Sequence, residues 1–427
     1  MTSLTGAAHS GLIQNKIGAK LPVVERAEGV WLYDSEGKDY IDGCSGAVVA
    51  NLGHSHPHIV DVIRKQSAKV TFVHRGAFAS SSMYRLADRL SNATGMAGVW
   101  LVNSGSEAVE AAIQFALQYF VELGRPRPRF LSHRRSYHGN TLGALSLSGH
   151  ARRAVLGELA LDFNVLPDPY SGAPVDELLA QVRAELERTP GQVAGIVFEP
   201  LSGATLGCVP LPDGYLQGLR ALADEFGTLL IADEVMTGLG RTGRMLACDH
   251  WGVRPDIAAL GKGLGAGYTP IAAALVSGRV LDAIASGSGS IRGGHTYGGN
   301  PLSVAVADAV LELTLNLGLA DTALVKGEWL SDALRQLAEK HPMIVDVRGC
   351  GLMWGVDLAR PGGESAAAAP IGERLRQAAL AHGLVIYPTT GGFNDACIIA
   401  PPLTITEDEL QHLVDRLDAA LTEVESA

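Results

Sequence analysis

The stretch DIAALGKGLGAGYTPIAAALVS, Asp256 to Ser277, sets a single lysine, Lys262, between Gly261 and Gly263. A lysine amine attacks carbonyl carbons once it is deprotonated, and glycines on both sides leave room for something large beside its backbone. Two other short stretches offer complementary chemistry. TLLIADEV ends its apolar run near Asp233, and an acid at the end of a buried strand is costly unless something positive meets it. NSGSE, Asn103 to Glu107, has the S-x-x-E spacing of a capping box between Ser104 and Glu107, with Gly105 to turn the backbone. The free N–H groups and positive dipole end of a helix starting there suit a phosphate.

A phosphate cradle, a buried carboxylate and a glycine-flanked lysine together fit pyridoxal phosphate. Lys262 would form an imine with its aldehyde, and Asp233 would keep the pyridine nitrogen protonated so that the ring accepts electrons from a substrate carbanion. Tyr137, in SYHGNT, would cover one face of the ring and Val235 the other. Each piece also has a plainer reading: a well-capped helix at Ser104, an Asp233 that pairs with Arg241 or caps a helix, a core Tyr137 and a strand-end Val235. Two rival motifs are weaker. GLGRTG, Gly238 to Gly243, matches a dinucleotide fingerprint literally, but RMLACDHWG after it does not open a regular helix and no acid follows at the required distance. His54, His56 and His58 alternate in GHSHPHI, yet Pro57 and the lack of a neighbouring cysteine or carboxylate cluster read as a turn into a helix, with no metal.

The elements that must position these residues show in the pattern. GVWLYDSEGKDYIDG alternates around Ser35–Lys38 and reads as a hairpin. From about Val99, short apolar strands alternate with helices, as in VWLV then SEAVEAAIQFALQYF, and AGIVFEP, DGYLQGLRALADEFG and TLLIADEV; such alternation predicts crossover units and a largely parallel sheet. Leu216, Leu219, Leu222, Ala223 and Phe226 share one helix face, with Gly227 as a stop. After about Leu330 the rhythm changes through IVDVRGCGLMWGVDLA and GLVIYP. The expected organisation is therefore α/β: a small domain from residues 1–60 and 330–427, built from both chain ends, and a large cofactor-binding domain from 61–329.

Composition narrows the partners. The 427 residues are 47% hydrophobic and 19% charged, with a net charge of -11, which is globular and gives no support to nucleic-acid binding. The basic run RPRPRFLSHRR, Arg125 to Arg135, reads as a solvated loop entering a strand, and RPGGESAAAAP as a short flexible loop. Five cysteines without C-x-x-C spacing, and a start MTSLTGAAHSGLIQNK without a signal-peptide pattern, lead us to expect a cytoplasmic protein. No apolar run is long enough to span a bilayer, so no membrane partner is expected.

The ordered set YDSEGKDYIDG, GHSHPHIVDVI, NSGSEAVEAAI, YHGNTLGALS, FEP, LLIADEVMTGLGRTG, ALGKGLGAGYTP, HTYGGNPLSVAVA, VRGCGLMWGVDL and APPLTIT resembles the class-III aminotransferases of the fold-type-I pyridoxal phosphate superfamily over nearly the whole chain. The resemblance implies that Gly105 and Ser106 hold the phosphate, Tyr137 stacks on the ring, Asp233 pairs with the pyridine nitrogen and Lys262 is the imine lysine. His138, Glu199 and Val235 would line the same site. It also implies a homodimer, or a tetramer built from it, with active sites at the interface and Thr296 reaching the phosphate of the neighbouring subunit. Asn140 replaces an arginine of the ornithine, acetylornithine and 4-aminobutyrate enzymes, Met236 replaces their common glutamine, and no arginine lies between Arg376 and Arg416. These departures pull toward the ω-amine:pyruvate and diaminopelargonate-like branch, hence toward an amine or ω-amino donor and a 2-oxo acid acceptor, pyruvate first. Arg75 and Arg292 remain unassigned candidates for a substrate carboxylate. The alternatives are an aminomutase or decarboxylase on the same scaffold, or an ornithine- or 4-aminobutyrate-type enzyme that uses 2-oxoglutarate.

Overall fold

A computed structural model describes residues 11, 13–19, 21–359 and 370–426. Most of the N-terminal start and residues 360–369, expected from sequence to form a flexible loop, lie outside the described residues. The chain begins with an antiparallel meander, β1 (Val24–Glu28), β2 (Trp31–Asp34) and β3 (Asp39–Asp42), in which Tyr33 faces Asp39 across the hairpin expected at Ser35–Lys38. Next come β4 (Gly98–Val102), β5 (Arg129–Ser132), β6 (Val193–Phe198), the short hairpin β7 (Leu201–Ser202) and β8 (Val209–Pro210), β9 (Leu229–Asp233), β10 (Ile257–Leu260) and β11 (Ala272–Val276). The C-terminal part adds β12 (Ile344–Cys350), β13 (Met353–Leu358), β14 (Leu384–Val385), β15 (Tyr387–Pro388) and β16 (Ala396–Ile399).

The central sheet has six strands in the order β4-β11-β10-β9-β6-β5. β5, β6, β9 and β10 run parallel, while β11 is antiparallel to both β10 and β4. Strand residues alternate between the two faces, so each buried strand feeds two cores. Leu230, Ala232, Ala258 and Leu260 pack on one side with Leu216, Leu219, Leu222 and Ala223 of the helix Tyr215–Glu225. Leu229, Ile231, Ile257 and Ala259 pack on the other with Ala108, Ala112, Phe115 and Ala116 of the helix Gly105–Glu122. Asp233 shares the parity of Leu229 and Ile231, so it leaves the sheet on the side of that second helix.

The two chain ends meet. β14 joins the N-terminal meander through a parallel pairing of Leu384 with Ile41, and a third core combines Val30, Ile41 and Ile59 with residues from Val306 to Val424. Arg241 ties this region to the large sheet. It is 1% exposed and donates to the carbonyls of Leu352 (2.9 Å) and Pro401 (2.6 Å), to Ser45 Oγ (3.2 Å) and to Asn51 Oδ1 (2.8 Å). The plainer reading in which Arg241 neutralises Asp233 therefore fails. The basic run also differs from the expected solvated loop: Arg127 is buried, donating to the carbonyls of Val193 and Phe226, and Arg135 pairs with Asp168. Among the described residues no single helix is long and apolar enough to cross a membrane.

Candidate active site

The parallel strands all end on one edge of the sheet, where open α/β sheets form their ligand crevice. Ser104 follows β4, Glu199 follows β6, Asp233 closes β9 and Lys262 follows β10. They border one cavity of about 200 Å³. Gly105, Ser106, Tyr137, His138, Glu199, Asp233, Val235 and Lys262, all expected from the sequence, line it together. Gly139, Leu201, Gly203, Ala204, Met236 and Thr237 line it as well. Thr296 does not: it is exposed in the loop before the helix Pro301–Asn316 and borders a separate cleft with Arg75.

Ser104 caps the helix Gly105–Glu122 by accepting from Glu107 N at 3.2 Å. The reciprocal arm falls one residue earlier than the simple box predicts, since Glu107 Oε2 accepts from the backbone N (2.7 Å) and side-chain Nδ2 (2.8 Å) of Asn103. The N–H groups of Gly105 and Ser106 have no intrahelical acceptor and face the cavity end of the helix. Three glycines let the chain pack closely there. A Cβ on Gly105 would lie 2.8 Å from Val235 Cγ1, one on Gly261 would lie 3.1 Å from the same atom, and one on Gly139 would lie 2.5 Å from Ser106 Oγ. Asn140 N donates to that Ser106 hydroxyl at 3.0 Å.

Asp233 is 8% exposed. Its Oδ2 meets His138 Nδ1 at 2.9 Å and its Oδ1 accepts from Val235 N at 3.1 Å. Burial works to lower the His138 pKa, but the Asp233 hydrogen bond and charge outweigh it and the net shift is upward. His138 Nε2 is buried without a protein partner. Glu199 accepts from Tyr137 N (3.1 Å) and Gly203 N (3.0 Å); burial pushes its pKa up to about 7, against His138 and with Asp233. Lys262 has a left-handed backbone, φ +41°, uncommon for a side-chain-bearing residue. The next residue, Gly263, leaves no room for a Cβ beside the Asn51 amide. Burial pulls the Lys262 pKa down to about 8, against the raising effect of Asp233 and Glu199, so a substantial share of the amine is neutral near that pH.

His54 Nε2 pairs with Asp42 Oδ2 at 3.0 Å, and His56 sits at the N-cap position of the helix Pro57–Ser67 without a side-chain capping bond, while its backbone N donates to Tyr268 Oη. GLGRTG is followed by a short 3-10 turn, Ala247–Trp251, rather than a regular helix. Arg75 is half-buried, donates to the carbonyls of Leu101 and Gly298 and lies over the Trp100 ring. Arg292 is exposed, outside the cavity lining.

The sequence pattern of the aminotransferases of class III matches residues 13–421. An uncharacterized aminotransferase of Bacillus subtilis, YodT, is 39% identical, covering 97% of this chain and 98% of its own. Ornithine aminotransferase 2 of Staphylococcus saprophyticus is 34% identical over 95% of this chain and 96% of its own. Among solved structures, a PLP-bound amine transaminase from an uncultivated Pseudomonas species superposes with a TM-score of 0.89 at 33% identity, covering 97% of this chain and 99% of that one. Fold and likeness define a pyridoxal-phosphate-dependent α/β transferase of fold type I. Within that class, the chain belongs to the class-III aminotransferases.

The residues present fit the cofactor. The free helix N–H groups suit its phosphate, the cavity lined by Tyr137 and Val235 suits its ring, and buried Asp233 suits a protonated ring nitrogen. When bound, pyridoxal phosphate supplies an aldehyde that condenses with amines and a ring that accepts an electron pair. Lys262 Nζ, brought near neutrality, can then be the tethering nucleophile and the base that moves a proton at the donor carbon.

Proposed function

We propose that this aminotransferase takes its amino group from a terminal or ω-amine donor and passes it to a 2-oxo acid, pyruvate ahead of 2-oxoglutarate. It works as a homodimer in which Thr296 of one subunit completes the phosphate site of the other. The observation that carries the donor class is the cavity wall beyond Lys262: Leu201, Gly203, Ala204 and Met236. That wall is apolar, and among the described residues no arginine lines it, so the donor's reacting carbon need not bear a carboxylate. Asn140 is exposed and contributes its backbone N–H to Ser106. A second reading, ornithine with 2-oxoglutarate, is supported by the 34% identical ornithine aminotransferase.

Comparing kcat/KM for a simple primary amine, ornithine and 4-aminobutyrate, each with pyruvate and with 2-oxoglutarate, separates the two. A preference for ornithine with 2-oxoglutarate by about 100-fold, roughly 2.7 kcal/mol in transition-state binding, would overturn the proposal. Release of carbon dioxide from a carboxylated donor would point instead to a decarboxylase.

A further inference from the structure

We propose that Arg152 is the carboxylate anchor for the 2-oxo acid at the mouth of the cavity; this rests on the reading above that the acceptor is a 2-oxo acid. Every such acceptor brings a carboxylate to the reaction, and the cavity itself holds two acids, Asp233 and Glu199, that repel it. A cation near the entrance is therefore required, and the described arginines are mostly committed elsewhere. Arg75, Arg241 and Arg348 give their hydrogens to carbonyls or acids.

Arg152 differs. Its guanidinium lies 5.7 Å from the centroid of the Tyr137 ring, which lines the cavity, and among the described residues it has no acid or carbonyl partner. The segment that carries it is held in place. His150 is buried, accepts from Arg152 N at 3.1 Å and meets Thr390 Oγ1 at 3.0 Å, with its ring 5.2 Å from that of Tyr137. Thr390 N donates in turn to the carbonyl of Ala204, another cavity residue, at 2.9 Å. The exposed guanidinium thus stands on a fixed turn beside the ring that marks the cavity wall. It also acts on Tyr387 nearby: burial raises the pKa of that hydroxyl, and the Arg152 charge opposes the shift. A planar guanidinium over an aromatic ring, with its five N–H donors unpaired among the described residues, is matched to a carboxylate.

The test uses the holoenzyme and two acceptors that differ in one group, pyruvate and acetaldehyde, the latter with hydrogen in place of the carboxylate. Arg152→Gln is expected to lower kcat/KM for pyruvate by about 10- to 100-fold, mainly through KM, and to change acetaldehyde by less than about threefold. Calorimetry with oxamate, an unreactive carboxylate of pyruvate's shape, should show the same weakening, with Arg152→Lys restoring part of it. Equal losses for both acceptors, or unchanged oxamate binding, would overturn the assignment. If the unaltered enzyme transferred no amino group to any 2-oxo acid, the proposed function would fall, while oxamate binding would still decide the role of Arg152.

Discussion

Replacing Gly105 with alanine tests the cofactor slot by a single methyl group. The added Cβ would lie 2.8 Å from Val235 Cγ1 and 3.2 Å from Cγ2, whereas carbon atoms rest at about 3.5 to 4.0 Å, so the overlap is roughly 0.7 Å. Val235 is β-branched and stiff at χ1. The same Cγ1 also lies beside Gly261, where a Cβ would be 3.1 Å away. The valine must move into the cavity or the helix start must shift, and overpacking of this kind costs about 1 to 3 kcal/mol. Titration of the cofactor-free protein with pyridoxal phosphate, followed by absorbance, should therefore show affinity reduced about 5- to 150-fold. In a double-mutant cycle, Val235→Ala removes the obstructing methyls, so the pair should bind better than the sum of the two single losses predicts. Affinity within twofold of the parent for Gly105→Ala, or strict additivity in the cycle, would refute the steric reasoning.

Three other predictions follow from the same site. Asp233→Asn removes the charge that raises the His138 pKa, so NMR of the imidazole should show that pKa fall; kcat/KM should drop about 10- to 150-fold, and a loss within threefold would dismiss the ring-nitrogen role. The Lys262 pKa is lowered to about 8 in the fold from an ordinary value of 10.5, so between those values the unfolded chain binds more protons and the lysine's burden on stability lessens as pH rises. Cofactor-free Lys262→Met should therefore be more stable than the parent at pH 7, by roughly 3 kcal/mol at most, with the gap closing from pH 8 to 10.5; a pH-independent gap in denaturant melts would contradict this. Thr296→Val should weaken cofactor affinity in a dimer by about tenfold, the loss of one hydrogen bond to a charged group, whereas a fully active monomer in sedimentation at assay concentration would remove the shared-site proposal.

The chemistry was legible where local sequence dictates it. Gly261-Lys262-Gly263 follows β10, Asp233 closes β9 and Ser104 caps its helix because each depends on residues within a few positions along the chain. The antiparallel run of β11 could have been read from its connection, since Gly261–Ile271 contains only a 3-10 turn and offers no crossover helix. Contacts distant in sequence were not legible. The His138–Asp233 bond joins residues 95 apart, and Arg241, which GLGRTG presented as part of a loop motif, is a buried tie to Pro401 and Leu352. Arg152 carries no local signal in the sequence, and the turn at His150 places it over Tyr137.

The most direct test of an amine-to-pyruvate transferase is a pair of half-reactions on the purified holoenzyme. Incubated with a simple primary amine and no acceptor, the enzyme should release one equivalent of carbonyl product per active site and stop. Pyruvate added after removal of the amine should then yield one equivalent of alanine and restore the original absorbance, and Lys262→Ala should complete neither turnover. Carbonyl product that continues past one equivalent without acceptor, or a first half-reaction that occurs with ornithine and not with the simple amine, would contradict the assignment.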